Sequence, residues 1–145
     1  MAIDLTDKVC LITGADEGLG FGTARGFIKR GAKVAAGLLN PEKFASRLAP
    51  AFTVKMDVTK PEEVEAAVAQ VVEHYGRIDV LINNAGIYPR LAADEMTFDD
   101  YKTLREINLD GTWRSCLAVI PYFKKQGSGV IINTGSITLR MGMAH

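Results

Sequence analysis

Cysteine is scarce in this sequence: only Cys10 and Cys116 occur in 145 residues, and neither has a nearby Cys or His partner. That scarcity rules out a disulfide framework and supplies no metal-ligand spacing, so no metal site is expected and both thiols are expected to be reduced packing residues. An excess of one charge is also missing. Seventeen Lys and Arg balance 17 Asp and Glu, without a run of like charge. Nothing therefore favours nucleic acid or an anionic membrane surface as partner, and a small neutral or mildly charged molecule fits better. No window approaches the roughly 18 apolar residues that a membrane span needs. Residues 1–7 lack a basic stretch leading into an apolar one, so no signal peptide is predicted and a cytoplasmic setting is expected. Repeats, low-complexity segments and linkers are absent too, which leaves a single domain over 1–145. At 48% hydrophobic residues, a chain of this length is expected to bury about two-thirds of its unfolded surface.

What the sequence does contain begins with Val9-Cys10-Leu11-Ile12, a short and wholly apolar run, followed by Thr13-Gly14-Ala15-Asp16-Glu17-Gly18-Leu19-Gly20. Apolar and small residues then recur at helical spacing at Phe21, Ala24, Phe27 and Ile28, as far as about 30. A strand, a tight glycine turn and a helix start present free backbone N–H groups and the positive end of a helix dipole at one point, a cradle for a diphosphate. Three glycines at fixed offsets are weak evidence alone in a chain with 14 of them, and a turn that merely closes a strand-helix connection is the alternative.

Further along, apolar runs predict strands over 33–39, 51–56, 78–83 and 130–134. Asn40-Pro41-Glu42 reads as a helix cap with proline in the first turn, opening a short helix to about 48. Thr59-Lys60-Pro61-Glu62 reads as a capping box before a helix with Val64, Val68, Val71, Val72 and Tyr75 on its apolar face, ended by Gly76. A second capping box, Thr97-Phe98-Asp99-Asp100, opens one long helix over 97–125. Its predicted packing positions are Tyr101, Leu104, Ile107, Leu117 and Ile120, and Pro121 is expected to kink its last turns. Nearly continuous apolar strands alternating with helices predict an α/β fold, a doubly wound parallel sheet of Rossmann type, with the ligand crevice at the strands' carboxyl ends.

The residues at those strand ends resemble the short-chain dehydrogenase/reductase family of classical type, from Lys8 to about Ser136. Thr13-Gly14, Gly18 and Gly20 are joined by Asp57-Val58, Asn83-Asn84-Ala85-Gly86, Asn108-Leu109-Asp110-Gly111-Thr112 and Asn133-Thr134-Gly135-Ser136, in order and on the expected elements. The resemblance implies a nicotinamide dinucleotide, NAD or NADP, as cofactor. It also implies hydride transfer to or from a secondary alcohol or ketone. Gly14, Gly18 and Gly20 would then form the turn, the approach to pyrophosphate and the helix packing, with Leu19 along the cofactor and Thr13, Asp16, Glu17 and Thr134 beside it. Asp57 would accept from the adenine amino group, with Val58 alongside; a turn role ahead of Thr59 is the alternative. Asn84, Ala85 and Gly86 would line the ribose, or form a structural turn in which Asn84 bridges two backbone segments. Asn108 would perturb its helix and hold a relay water, or else face solvent. Ser136 would polarise the substrate carbonyl, or be a loop serine.

Two departures from the family pattern matter. At the end of the second strand, where an acidic residue would bind the ribose 2′-OH, this chain has Leu38, while Glu17 would repel a 2′-phosphate. That tilts the expectation slightly to NAD, weakly bound. The family's catalytic Tyr and its Lys partner should follow Ser136 on the next helix, and no Tyr or Lys occurs between Ser136 and His145. The resemblance thus covers the family's amino-terminal part, a sheet truncated after its fifth strand. Catalysis is expected to fall by roughly 10²–10⁴-fold, and an exposed long helix is expected to drive homo-oligomerisation. A non-catalytic nucleotide-binding or structural relic is the alternative to an oxidoreductase.

Overall fold

In the computed structural model, residues 3–92 and 94–136 are described. Five strands form one parallel sheet: β1 (Val9–Ile12), β2 (Lys33–Leu38), β3 (Phe52–Lys55), β4 (Val80–Asn83) and β5 (Val130–Asn133), in the order β3-β2-β1-β4-β5. Helices α1 (Gly18–Ile28), α2 (Pro41–Phe44), α3 (Pro61–Tyr75), α4 (Phe98–Arg105) and α5 (Gly111–Gln126) connect them. This is the doubly wound arrangement expected of the sequence, with β1 matching its apolar run and the other four strands one or two residues shorter than theirs.

Period-two alternation sends successive side chains to opposite faces, which splits the core in two. Val9, Leu11, Ala35 and Leu81 pack with Val64, Val68 and Val71 of α3 and Val119 of α5. Ile12, Val34, Ala36 and Ile82 pack on the other face with Ala24 of α1, Phe44 and Leu48. At its amino-terminal edge the sheet is tied by Asp79. Its Oδ2 accepts the Val9 N–H at 2.9 Å, and its Oδ1 accepts from Arg77 Nη2 at 2.6 Å. Burial pushes the Cys10 thiol, inside β1, up to about 11, in keeping with a packing role.

Three local expectations need correction. The Thr59 capping box does not form: α3 starts after Lys60 with no side-chain cap, because the Thr59 N–H and hydroxyl both donate to Asp57 Oδ1, at 2.9 and 2.7 Å. Asn40 likewise caps α2 without its side chain, its carbonyl taking the Lys43 and Phe44 amides instead. The helix over 97–125 is not continuous. Its Thr97–Asp100 capping box forms, but a π-helical turn, Glu106–Asp110, separates α4 from α5. One inserted residue rotates the downstream face by about 100°. Gly111, Ser115 and Val119 are therefore buried, whereas the predicted packing position Leu117 is 50% exposed; Tyr101, upstream of the turn in α4, is also 50% exposed. Pro121 lies within α5, which runs on to Gln126 before Gly127 turns left-handed at φ +76°.

Asp79→Ala strips the buried Val9 N–H of its acceptor and is expected to cost about 1–3 kcal/mol in chemical denaturation. Arg77→Ala removes only a half-exposed partner, so its cost should fall below about 1 kcal/mol.

Candidate functional site

The carboxyl ends of β1 and β4 are locked together before any ligand is considered. Thr13 Oγ1 accepts the Asn84 and Ala85 amides, each at 3.0 Å. The Asn84 side-chain amide donates back to the Thr13 and Gly14 carbonyls at 3.1 and 2.9 Å. Asn84 thus bridges two backbone segments, as its amide chemistry allows.

This lock leaves no room for side chains at two of the glycines. A Cβ on Gly14, whose φ is +63°, would lie 2.7 Å from Ala85 Cα, and one on Gly20 would run into the Gly14 carbonyl and the Asn84 amide. Gly18 is different: it has φ +58° but open space around it. The first two glycines therefore serve close packing, while Gly18 serves the turn and leaves the helix N-terminus bare.

Above the lock is a cleft of about 810 Å³, within the size range of small-molecule sites. Gly14, Asp16, Glu17, Gly18 and Leu19 line it from the glycine loop, Asp57 and Val58 from the β3 exit, and Asn84, Ala85 and Gly86 from the β4 exit. Thr13, Gly20 and Leu38 lie beneath it, buried. The side chain that reaches the cleft from the β2 exit is Leu39 rather than Leu38. An alternating strand explains this, since adjacent residues face opposite ways.

At the β3 end, Asp57 closes a turn on Thr59, and Glu63 Oε2 accepts the Asp57 N–H at 3.0 Å. Partial burial raises the Asp57 carboxyl, but the Thr59 hydrogen bonds, with Lys60 and Lys55, outweigh it and leave the group below its ordinary 3.8. The Asp57 amide, ahead of Lys60, holds Glu63 below its ordinary 4.5. Val58 is fixed from behind: its carbonyl accepts from Arg114 Nη1 at 3.2 Å, and Gly111 has no Cβ where one would meet Val58 Cγ2 at 2.6 Å.

At the other end, Asn108 does not simply face solvent. Its Oδ1 accepts the Ile87 N–H and its Nδ2 donates to the Ile87 carbonyl, both at 2.9 Å. The π turn that carries Asn108 is thereby clipped to the loop leaving β4. Thr134 donates its amide to the Asn83 carbonyl at 3.0 Å. Thr134 and Ser136, just past β5, are exposed and do not line the cleft.

Leu39 was expected at a strand exit, but sequence patterns gave no sign of Ile87 or Ile107 on the cleft wall, because isolated apolar residues carry no ligand signal. Arg47 escaped for another reason. It lies 27 residues beyond Gly20 in sequence, yet its guanidinium is 4.0 Å from Glu17 and 4.8 Å from the Phe21 ring centroid. Among the described residues, no three His, Cys, Asp or Glu side chains group as metal ligands.

Lowered carboxyls at Asp57 and Glu63 mean that the charged forms favour the folded state. Their contribution is complete above the ordinary pKa values and is lost as pH falls through the lowered ones. Melting temperature should therefore hold from pH 7 to about 5 and fall below about 4. Glu63→Gln should flatten that fall.

The comparisons with known proteins agree with this geometry. The short chain dehydrogenase family model matches residues 8–145. The 3-oxoacyl-[acyl-carrier-protein] reductase of Thermotoga maritima is 39% identical over 140 residues, covering 92% of this chain and 57% of the relative. The L-fucose dehydrogenase of Oryctolagus cuniculus is 34% identical over 141 residues, covering 93% and 49% respectively. The crystal structure of gox2181 superposes with a TM-score of 0.92 at 30% identity, over 98% of this chain and 58% of that one. The chain thus spans about half the length of the curated relatives it matches. With the glycine cradle, the β3 and β4 exits and the family model in agreement, this chain belongs to the short-chain dehydrogenase family of NAD(P)-dependent oxidoreductases.

Proposed function

We propose that this chain forms the nucleotide-binding part of an oxidoreductase that moves hydride between a nicotinamide cofactor, NAD in preference to NADP, and a secondary alcohol or ketone. One observation carries the reading: the loop with Gly14, Gly18 and Gly20 and the exits of β2, β3 and β4 border a single cleft. That cleft fits the group. Its glycine floor lets a diphosphate approach backbone N–H groups, and its apolar walls at Leu19, Leu39 and Val58 suit a base and sugar.

When bound, the cofactor supplies or accepts hydride at nicotinamide C4. The chain's own residues bind and orient. Gly14 and Gly18 would hold the diphosphate, Asp57 would accept from the adenine amino group, and Asn84, Ala85 and Gly86 would border the sugar. Asn108 would fix the Ile87 segment and hold a relay water. Ser136 would donate its hydroxyl to the substrate oxygen as charge develops there. Residues 137–145 lie outside the described structure, and no Tyr or Lys follows Ser136 within the 145 residues. These 145 residues alone are therefore expected to bind nucleotide with turnover reduced by roughly 10²–10⁴-fold for want of a proton donor. A relic that binds nucleotide without redox chemistry would show the same binding and no turnover at all.

NADH and NADPH titrations followed by fluorescence test the cleft. Gly18→Asp places a carboxylate where the diphosphate would lie, so binding should weaken at least about tenfold. Gly18→Ala should bind far better. A cooperatively folded chain that binds neither nucleotide would sink the proposal.

The proposal extends to a homo-oligomer through residues 97–125, supported by Leu109, Trp113 and Leu117 on one face of α5 and its preceding turn, 62%, 64% and 50% exposed. Light scattering should report more than one chain per particle, and Trp113→Glu with Leu117→Glu should reduce the mass. A monomer at every concentration would contradict it.

A further inference from the structure

We propose that Asp16 supplies the carboxylate that recognises the adenosine ribose, taking the place of the acidic side chain that β2 lacks. The inference rests on the nucleotide reading of the cleft. Sheet order decides where a sugar would pass. The glycine loop leaves β1, Asp57 follows β3, and β2 lies between them. A nucleotide with its diphosphate on Gly14 and Gly18 and its base at Asp57 must cross the β2 exit with its ribose.

No carboxylate comes from the strand at that crossing, because Leu38 is wholly buried in the core. The loop brings one instead. Asp16 Oδ2 accepts the Leu39 N–H at 3.1 Å, and Oδ1 accepts the Asn40 N–H at 3.2 Å. Asp16 is half-buried and lines the cleft. Two amides occupy two of its roughly four acceptor directions, so it can still take hydroxyl donors from a ribose. The same amides hold the carboxylate in place, so little side-chain freedom is lost on binding.

Glu17 does not fill this role. Its carboxylate sits on the rim, 4.0 Å from Arg47, which is itself held over the Phe21 ring at 4.8 Å and the Phe44 ring at 5.7 Å. Among the described residues, Asp16 has no ion-pair partner, so its charge meets the sugar directly. A 2′-hydroxyl would donate to it, whereas a 2′-phosphate would be repelled. Asp16 thus sets the preference for NAD.

Calorimetric titration with ADP-ribose, its 2′-deoxy form and its 2′-phospho form tests this without the nicotinamide half. The unchanged chain should bind ADP-ribose about tenfold or more tightly than either analogue. Asp16→Ala should bind ADP-ribose and the 2′-deoxy form equally. Asp16→Asn keeps an acceptor for one of the two amides, and should raise 2′-phospho binding about tenfold relative to ADP-ribose. If both variants weaken all three ligands alike, Asp16 is only a loop anchor and the inference is overturned while the cleft reading stands. Failure of the unchanged chain to bind ADP-ribose would overturn both.

Discussion

The structure depends on the four hydrogen bonds that Thr13 and Asn84 exchange across the exits of β1 and β4. Strands at the centre of a parallel sheet end with backbone groups that no further ladder can satisfy, and burial makes an unpaired one costly. Thr13 and Asn84 satisfy them with side chains, and in doing so bring two loops so close that Gly14 and Gly20 have no space for a Cβ. The narrow glycine floor of the cleft follows from this closeness.

The same economy recurs around the cleft. Asp57 holds its own turn through Thr59 and receives support from Glu63 through its amide. Asp16 steadies the β2 exit while still bordering the cleft. In each case a carboxylate bordering the cleft is held in one orientation by backbone or hydroxyl donors.

The π turn at Glu106–Asp110 serves both packing and the site. It rotates α5 so that Gly111 lies against Val58 and Ser115 and Val119 enter the core. It also carries Asn108 to Ile87. The capping box at Thr97 and the spacing of apolar residues were visible in the chain, and the family resemblance implied a perturbed helix at Asn108, but the π turn as such was not legible. Five residues of a π turn have no composition of their own, and the turn is stabilised by Asn108 bonding to a loop about 20 residues away.

Periodicity and glycine placement in the sequence determined the parallel sheet, the flanking helices and the position of the crevice, because burial on both faces demands continuous apolar strands and exits must carry the polar residues. Tertiary structure decided which neighbour faces in. Leu38 goes to the core and Leu39 to the cleft, the Thr59 hydroxyl turns to Asp57 instead of capping α3, and Arg47 arrives beside Glu17. Each of these turns on competition among several possible partners, and only the assembled fold fixes which partner is nearest.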